Sequence, residues 1–267
     1  MGSEFTDAYD AVLGDWGVPV RRRTVDGDLA RTAVLTCGPD DAPPLLCLPG
    51  GGDTAAVWFA QAADLARRFR VIAPDLPGDA GGSERRAFRS RADWPAWIGE
   101  VLDGVGAPSA AVLAHSYGAQ IAVAHALVHP DRVQTMTLLD PTDVFAPMRP
   151  SILLRALPLL LAPSGSRQRA HAVWETRGHW PPTAEFGRLA TAAADGPRRT
   201  YSPPRRPAAE ALDALEAVPG GVTVVFALRS RYHDAPRLAA TVAERYPWMD
   251  VRTLPVAHHE LPFAYRP

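Results

Sequence analysis

Lysine and asparagine are absent from this 267-residue chain, and all 28 of its basic residues are arginine. Without lysine a Walker phosphate loop cannot be built, and without asparagine N-linked glycosylation cannot occur. Both residues have AT-rich codons, so their absence reads as the mark of a GC-rich genome. Cysteine is nearly as scarce. Cys37 and Cys47 stand alone with no C-x-x-C spacing, which removes a disulfide scaffold and a thiolate zinc site and fits a reducing cytoplasm. An excess of charge of one sign is lacking as well: a formal net charge of −1 offers neither nucleic acid nor an acidic membrane a partner surface. The longest apolar run, 152–162, is broken by Arg155 and Pro158 and falls short of the roughly 20 residues that span a bilayer. No charged start and apolar core mark a secretory signal, and Gly2-Ser3-Glu4-Phe5 reads as a cloning remnant outside the fold.

What is present is an ordinary globular composition, 47% hydrophobic and 21% charged, in a chain long enough for one large α/β domain with an inserted segment. Two β-like runs at 18–24 and 29–37 flank Asp26-Gly27, a hairpin signal that predicts an antiparallel start. Apolar strand runs then alternate with helical patterns up to Asp140-Pro141, which predicts a mostly parallel sheet with helices on both faces. From 142 to 219 the alternation fails. That stretch carries many prolines and helix-like segments at 152–161 and 169–176, and it reads as a helical cap inserted between core segments 6–141 and 220–267. Arginine pairs at 198–199 and 205–206 read as solvated loop charges, and Trp174, His179 and Trp180 as aromatics of the cap's own small core.

The chemistry centres on 110–119, an apolar strand that ends at Ser116 and passes at once into a helical pattern. Small residues at Ala114 and Gly118 allow a sharp strand-to-helix bend that lifts the hydroxyl above the sheet. The N–H of Tyr117 and the start of the helix then face the space where an oxyanion forms. Leu48-Pro49-Gly50-Gly51-Gly52 supplies a second such donor, the N–H of Gly51. A serine nucleophile needs a base and the base an orienting acid, in the order serine, carboxylate, histidine along such a sheet. Asp234 and His259 keep that order. Asp140, at the end of an earlier strand, is a second acid, and His258 a second imidazole. His115 reads as packing beside the bend.

Two rival readings use the same residues. Gly50-x-Gly52-x-x-Ala55 with Asp75 twenty positions later formally matches a dinucleotide-binding fingerprint and its ribose acid, although Pro49 stands where the tight turn begins. His259-Glu260 begins a zinc-protease motif, but Phe263 occupies the second histidine's place, so neither a metal nor a cofactor is expected.

Over nearly its whole length the chain resembles the α/β-hydrolase fold family. Ala114-His115-Ser116-Tyr117-Gly118 resembles the family's nucleophile elbow, and Leu48-Pro49-Gly50-Gly51 its oxyanion loop. Asp75-Leu76-Pro77-Gly78 resembles the loop after its fourth strand, 229–234 the acid loop, and 257–262 the histidine loop with His259 aligned to the base. The family usually closes with a helix beyond that loop, whereas Pro267 lies eight residues past His259. The resemblance implies a serine hydrolase with catalytic Ser116, Asp234 and His259, and Gly51 and Tyr117 forming the oxyanion hole. It would cleave a carboxylic ester, lactone or thioester whose apolar acyl part meets Ile152, Leu153, Leu157 and Leu160. A protein of this fold with a weakened triad, acting as a ligand binder or a non-hydrolytic natural-product tailoring enzyme, is the alternative.

Overall fold

The computed structural model of the chain describes residues 2–196, 200 and 202–266, and of Leu160 only the backbone. The arginine pair at 198–199 therefore lies outside the described residues. Among the described residues nine strands form one sheet: β1 (Arg21–Asp26), β2 (Ala30–Cys37), β3 (Pro44–Leu48), β4 (Arg70–Pro74), β5 (Glu84–Arg85), β6 (Ala110–His115), β7 (Val133–Leu139), β8 (Val222–Ala227) and β9 (Asp250–Leu254). Their order is β1-β2-β4-β3-β6-β7-β8-β9, with the short β5 paired to β2. β1 runs antiparallel to β2, and β2 antiparallel to β4. The remaining ladders are parallel. The hairpin read at Asp26-Gly27 is present, closed by the Gly27 N–H donating to the Ala30 carbonyl at 3.0 Å.

Helices cover both faces of the sheet, as buried parallel strands require. On one face α3 (Trp94–Gly104), α4 (Tyr117–Val128) and α8 (Ala235–Arg245) close the larger core. Trp94 and Trp97 are fully buried there, edge to face at 5.3 Å, and the Trp97 indole N–H donates to the Thr32 hydroxyl at 2.9 Å. Truncating either ring to alanine would cost about 3–5 kcal/mol. On the other face lie α1 (Ser3–Gly14), α2 (Phe59–Leu65), α7 (Ala184–Ala194) and the short α9 (Leu261–Ala264). Phe5 is buried against Tyr9 with ring centroids 5.7 Å apart, so residues 3–5 are the first turn of a packed helix and not a remnant outside the fold. The composition of 2–5 concealed this, because the apolar spacing of Phe5, Ala8, Tyr9 and Val12 carries the signal only when the first turn is counted.

Between β7 and β8 the described residues contain no strand. They form α5 (Pro150–Leu161), α6 (Gly165–Glu175), α7 and a 3-10 segment (Ala209–Ala217). α6 begins where Ser164 caps it, and the Asp195 carboxylate at the end of α7 accepts from the Gly165 N–H at 2.8 Å. Trp180 packs with Ala172 and Ala190 in a small cluster of its own, whereas Phe186 and Leu189 of α7 and Leu212 and Leu215 of the 3-10 segment join the two main cores. None of the described helices is long and apolar enough to cross a membrane.

Candidate active site

Ser116 stands between β6, whose six residues are all buried, and α4, with φ 53° and ψ −114°. Such a backbone costs a non-glycine residue about 1–3 kcal/mol and persists only where its surroundings over-determine it. Here they do. The Ser116 N–H donates to the Leu139 carbonyl at 3.0 Å, and its carbonyl accepts from the Ala119 N–H at 3.0 Å. At Gly118 a Cβ would sit 2.5 Å from the Pro49 carbonyl oxygen and 2.6 Å from that of Leu48, so only glycine lets the elbow nest against the loop after β3. Tyr117 is the first residue of α4, so its N–H belongs to the helix's first turn. Gly51, Ser116 and Tyr117 line one cavity of about 410 Å³.

The Ser116 hydroxyl lies 3.5 Å from that of Thr142, which in turn accepts from the Gln120 side-chain amide at 3.1 Å. A histidine nitrogen is not within hydrogen-bond distance of Ser116 among the described residues. In a site without substrate such bonds are commonly long and close only as the complex forms.

The acid–imidazole pair at the carboxyl edge of the sheet differs from the one expected. Asp140 follows β7, the strand beside the serine strand β6, and is completely buried. Its Oδ2 accepts from His258 Nδ1 at 2.6 Å, while Oδ1 accepts from His233 Nε2 at 2.8 Å and from the Ala227 N–H at 3.1 Å. Burial alone would raise this carboxyl's pKa, but the two imidazoles overcome it and hold the group well below the usual carboxylate range. Asp234 is turned outward instead. Its side chain is half exposed, caps α8 by accepting from the Arg237 N–H, and lies 3.5 Å from the Arg149 guanidinium. The expected Asp234–His259 pair is therefore not formed: Ala235-Pro236 starts a helix whose first turn claims the aspartate, and His233, one residue earlier, points inward in its place.

His258 and His259 sit on a 3-10 turn closed by Glu260, whose carboxylate accepts from the Ala257 N–H at 2.6 Å. This turn sends the two rings different ways. His258 is buried, stacked on Tyr232 at 4.1 Å and against His115 at 4.6 Å. With Nδ1 donating to Asp140, the neutral ring carries its proton there and leaves Nε2 as a bare acceptor. That nitrogen is buried without a partner among the described residues. Burial pushes the His258 pKa below its ordinary value, which Asp140 opposes without reversing. His259 faces the cavity, and its Nδ1 lies 3.0 Å from Glu175 Oε2. Burial would lower its pKa too, but the Glu175 hydrogen bond and charge outweigh that and raise it. His115 is packed beside the elbow as read, its Nε2 donating to the His258 carbonyl at 3.1 Å.

Of the expected acyl-pocket residues, Ile152 and Leu153 of α5 line the cavity. Leu157, one turn beyond Leu153 on α5 and exposed to the same degree, is not among its lining; the Leu160 side chain lies outside the described residues. Glu175, Tyr232 and Thr142 were not singled out from sequence. Glu175 alone left a signal, as the one acid among five arginines between 149 and 177. Asp75, the ribose acid of the dinucleotide reading, is committed elsewhere. Its carboxylate accepts from the N–H groups of Ala55 and Gly82, each at 2.7 Å, and desolvation raises its pKa to about 6.

A parallel sheet with helices on both faces, a strained serine elbow after its central strand and an acid–imidazole pair at the carboxyl edge make this chain a protein of the α/β-hydrolase fold. Residues 43–164 match the family model described as alpha/beta hydrolase fold. Among named relatives, carboxylesterase YbfK of Bacillus subtilis is 31% identical over 152 residues, 57% of this chain and 51% of that one. The uncharacterized carboxylesterase nap of the same organism is 28% identical over 159 residues, 59% and 53% of the two chains. The matched stretch thus spans about half the length of these relatives. In three dimensions the likeness is wider: the crystal structure of carboxylesterase CesB (YbfK) superposes with a TM-score of 0.88 at 22% identity over 97% of this chain and 92% of that one. That of naproxen esterase, also from Bacillus subtilis, gives 0.88 at 19% identity over 99% and 95%.

Proposed function

We propose that the protein is a serine hydrolase of carboxylic esters in which Ser116 is the nucleophile, His258 the base and Asp140 the acid that orients it. The observation that carries this reading is the Asp140–His258 pair, which leaves a bare Nε2 on a ring packed 4.6 Å from that of His115, the residue before the strained serine. His258 Nε2 takes the Ser116 proton as Oγ attacks the ester carbonyl, and the N–H groups of Gly51 and Tyr117 hold the tetrahedral oxyanion. The protonated imidazole then gives its proton to the departing alcohol. Water repeats the sequence on the acyl-enzyme, and Ser116 is regenerated with a free carboxylic acid. His259, the other imidazole on the cavity, has Nδ1 taken up by Glu175 rather than by Asp140, and that carboxylate raises its pKa above the ordinary histidine value.

The substrate is a small acyl compound whose apolar part lies against Ile152 and Leu153, with residues 142–219 acting as the cap over the site. The carboxylesterase names of the two Bacillus relatives support an ester over a lactone or thioester. Two buried free thiols, Cys37 and Cys47, support the cytoplasm as location.

The test is a fluorophosphonate label and a p-nitrophenyl ester assay on wild type, Ser116→Ala, His258→Gln and His259→Gln. Wild type is expected to label at Ser116. The Ser116 and His258 variants should lose turnover by several orders of magnitude, since loss of a triad member leaves only roughly 10³–10⁴-fold catalysis over water. A His258 variant of wild-type activity beside a dead His259 variant would transfer the base to His259. A wild-type protein that neither labels nor turns over would favour the non-hydrolytic alternative.

A further inference from the structure

Glu175 ends α6, within the segment inserted between β7 and β8, yet its side chain is completely buried at the histidine loop that follows β9. Its two oxygens are divided between consecutive residues of that loop. Oε1 accepts from the His258 backbone N–H at 3.0 Å, and Oε2 from the His259 N–H at 3.3 Å and from His259 Nδ1 at 3.0 Å. A carboxylate can accept on both oxygens at once, which no other side chain of this length does. Together with the His115 ring, which donates to the His258 carbonyl, it grips the peptide units on both sides of His258.

We infer that Glu175 is a positioning residue for the hydrolytic reaction, latching the histidine loop so that the His258 ring stays seated on Asp140, and that α6 thereby makes the base competent only while the inserted segment is docked. This rests on the reading of His258 as base. The loop's other ties fall on either side of His258 and His259: the Arg229 N–H donates to the Val256 carbonyl, the Glu260 carboxylate, shared with Arg229 and His179, accepts from the Ala257 N–H, and the Gln61 amide donates to the Pro262 carbonyl. A base displaced by about 1 Å loses catalysis steeply, so a carboxylate fixing two amides acts on turnover without touching substrate. Glu175 holds its charge there because the His259 hydrogen bond and charge outweigh the burial that would raise its pKa.

Glu175→Gln tests the latch. The glutamine fills the same space but has one acceptor oxygen, and its NH₂ group meets an N–H of the loop. Expected is a fall of about tenfold or more in kcat on p-nitrophenyl butyrate, the worth of one or two hydrogen bonds to a charged group, with KM within about threefold of wild type. The same fall should appear when Glu175→Gln is added to His259→Gln, because the latch on the His258 amide does not pass through the His259 ring. A kcat within about twofold of wild type overturns the inference. So does a loss that vanishes in the His259→Gln background, which would assign Glu175 to the ring alone. Should the glutamine variant not fold, Glu175→Asp keeps the charge and withdraws it by one methylene; full kcat in that variant overturns the inference equally. Failure of the base reading is visible separately, as wild-type turnover in His258→Gln with Glu175 intact.

Discussion

Asp140 Oδ2 and His258 Nδ1 lie 2.6 Å apart although 118 positions separate them in the chain. The pair joins the ends of two strands that are not neighbours, β7 and β9, with β8 between. Its short length and full burial mean that neither partner exchanges it for water.

Asp140→Asn is expected to lower kcat by about 10⁴-fold at neutral pH, because an amide in this place favours the wrong imidazole tautomer. Asp234→Ala should keep turnover and lose only the cap of α8, about 1 kcal/mol of stability. Steady-state kinetics on both variants with a thermal melt of each is the measurement, and the opposite pattern would return the acid to Asp234.

The pH profile follows from the direction of the His258 shift. Below its pKa the imidazole is protonated and useless as a base, so kcat/KM falls on the acid side at that pKa. Burial places it under the ordinary histidine value of about 6.5, so activity should persist to pH values where an exposed histidine is already charged. An acid limb centred above pH 6.5 would contradict this and point to His259, whose pKa is raised.

Chain-length preference should separate two leucines on one helix. Leu153→Ala is expected to raise KM for hexanoyl over acetyl esters by about fourfold or more, the worth of one buried methylene, while Leu157→Ala leaves the ratio unchanged. Equal effects of both substitutions would show that α5 contributes no acyl pocket.

Asp75 provides a check away from the catalytic residues. Its carboxyl titrates at about 6, with the Tyr9 hydroxyl donating to it from 3.3 Å. That bond favours the charged form, so Tyr9→Phe should move the titration above 6, read by carboxyl ¹³C resonances. A downward shift would show that the hydroxyl is not donating there.

Much of this architecture is legible in the sequence. Alternation of apolar strands with helical patterns survives translation into structure because the central strands β3, β4, β6 and β8 are buried on both faces, and the elbow is legible because its small residues answer to steric limits within a few positions. The choice between neighbours is a different matter. Asp234 and His233, or His259 and His258, differ by one residue on a tight turn, and which one faces inward depends on a helix start or a 3-10 closure that pattern alone does not resolve. Glu175 was harder still, since two of its three partners are backbone amides, which no motif records. Helix α1 was lost for a simpler reason, the exclusion of its first turn.

The nesting of Gly118 against the carbonyls of Leu48 and Pro49 separates two parts of the site with unequal tolerance of substitution. The elbow and the loop after β3 meet there through main chain, so their spacing does not depend on which side chains surround them. Part of the cavity wall, Ile152 and Leu153, is supplied by a different stretch of chain, and new residues can be tried there while the contact of elbow and loop stays constant. Substrate preference can therefore drift in descendants of this chain by exchanges on α5 alone, whereas any side chain at position 118 closes that route at once.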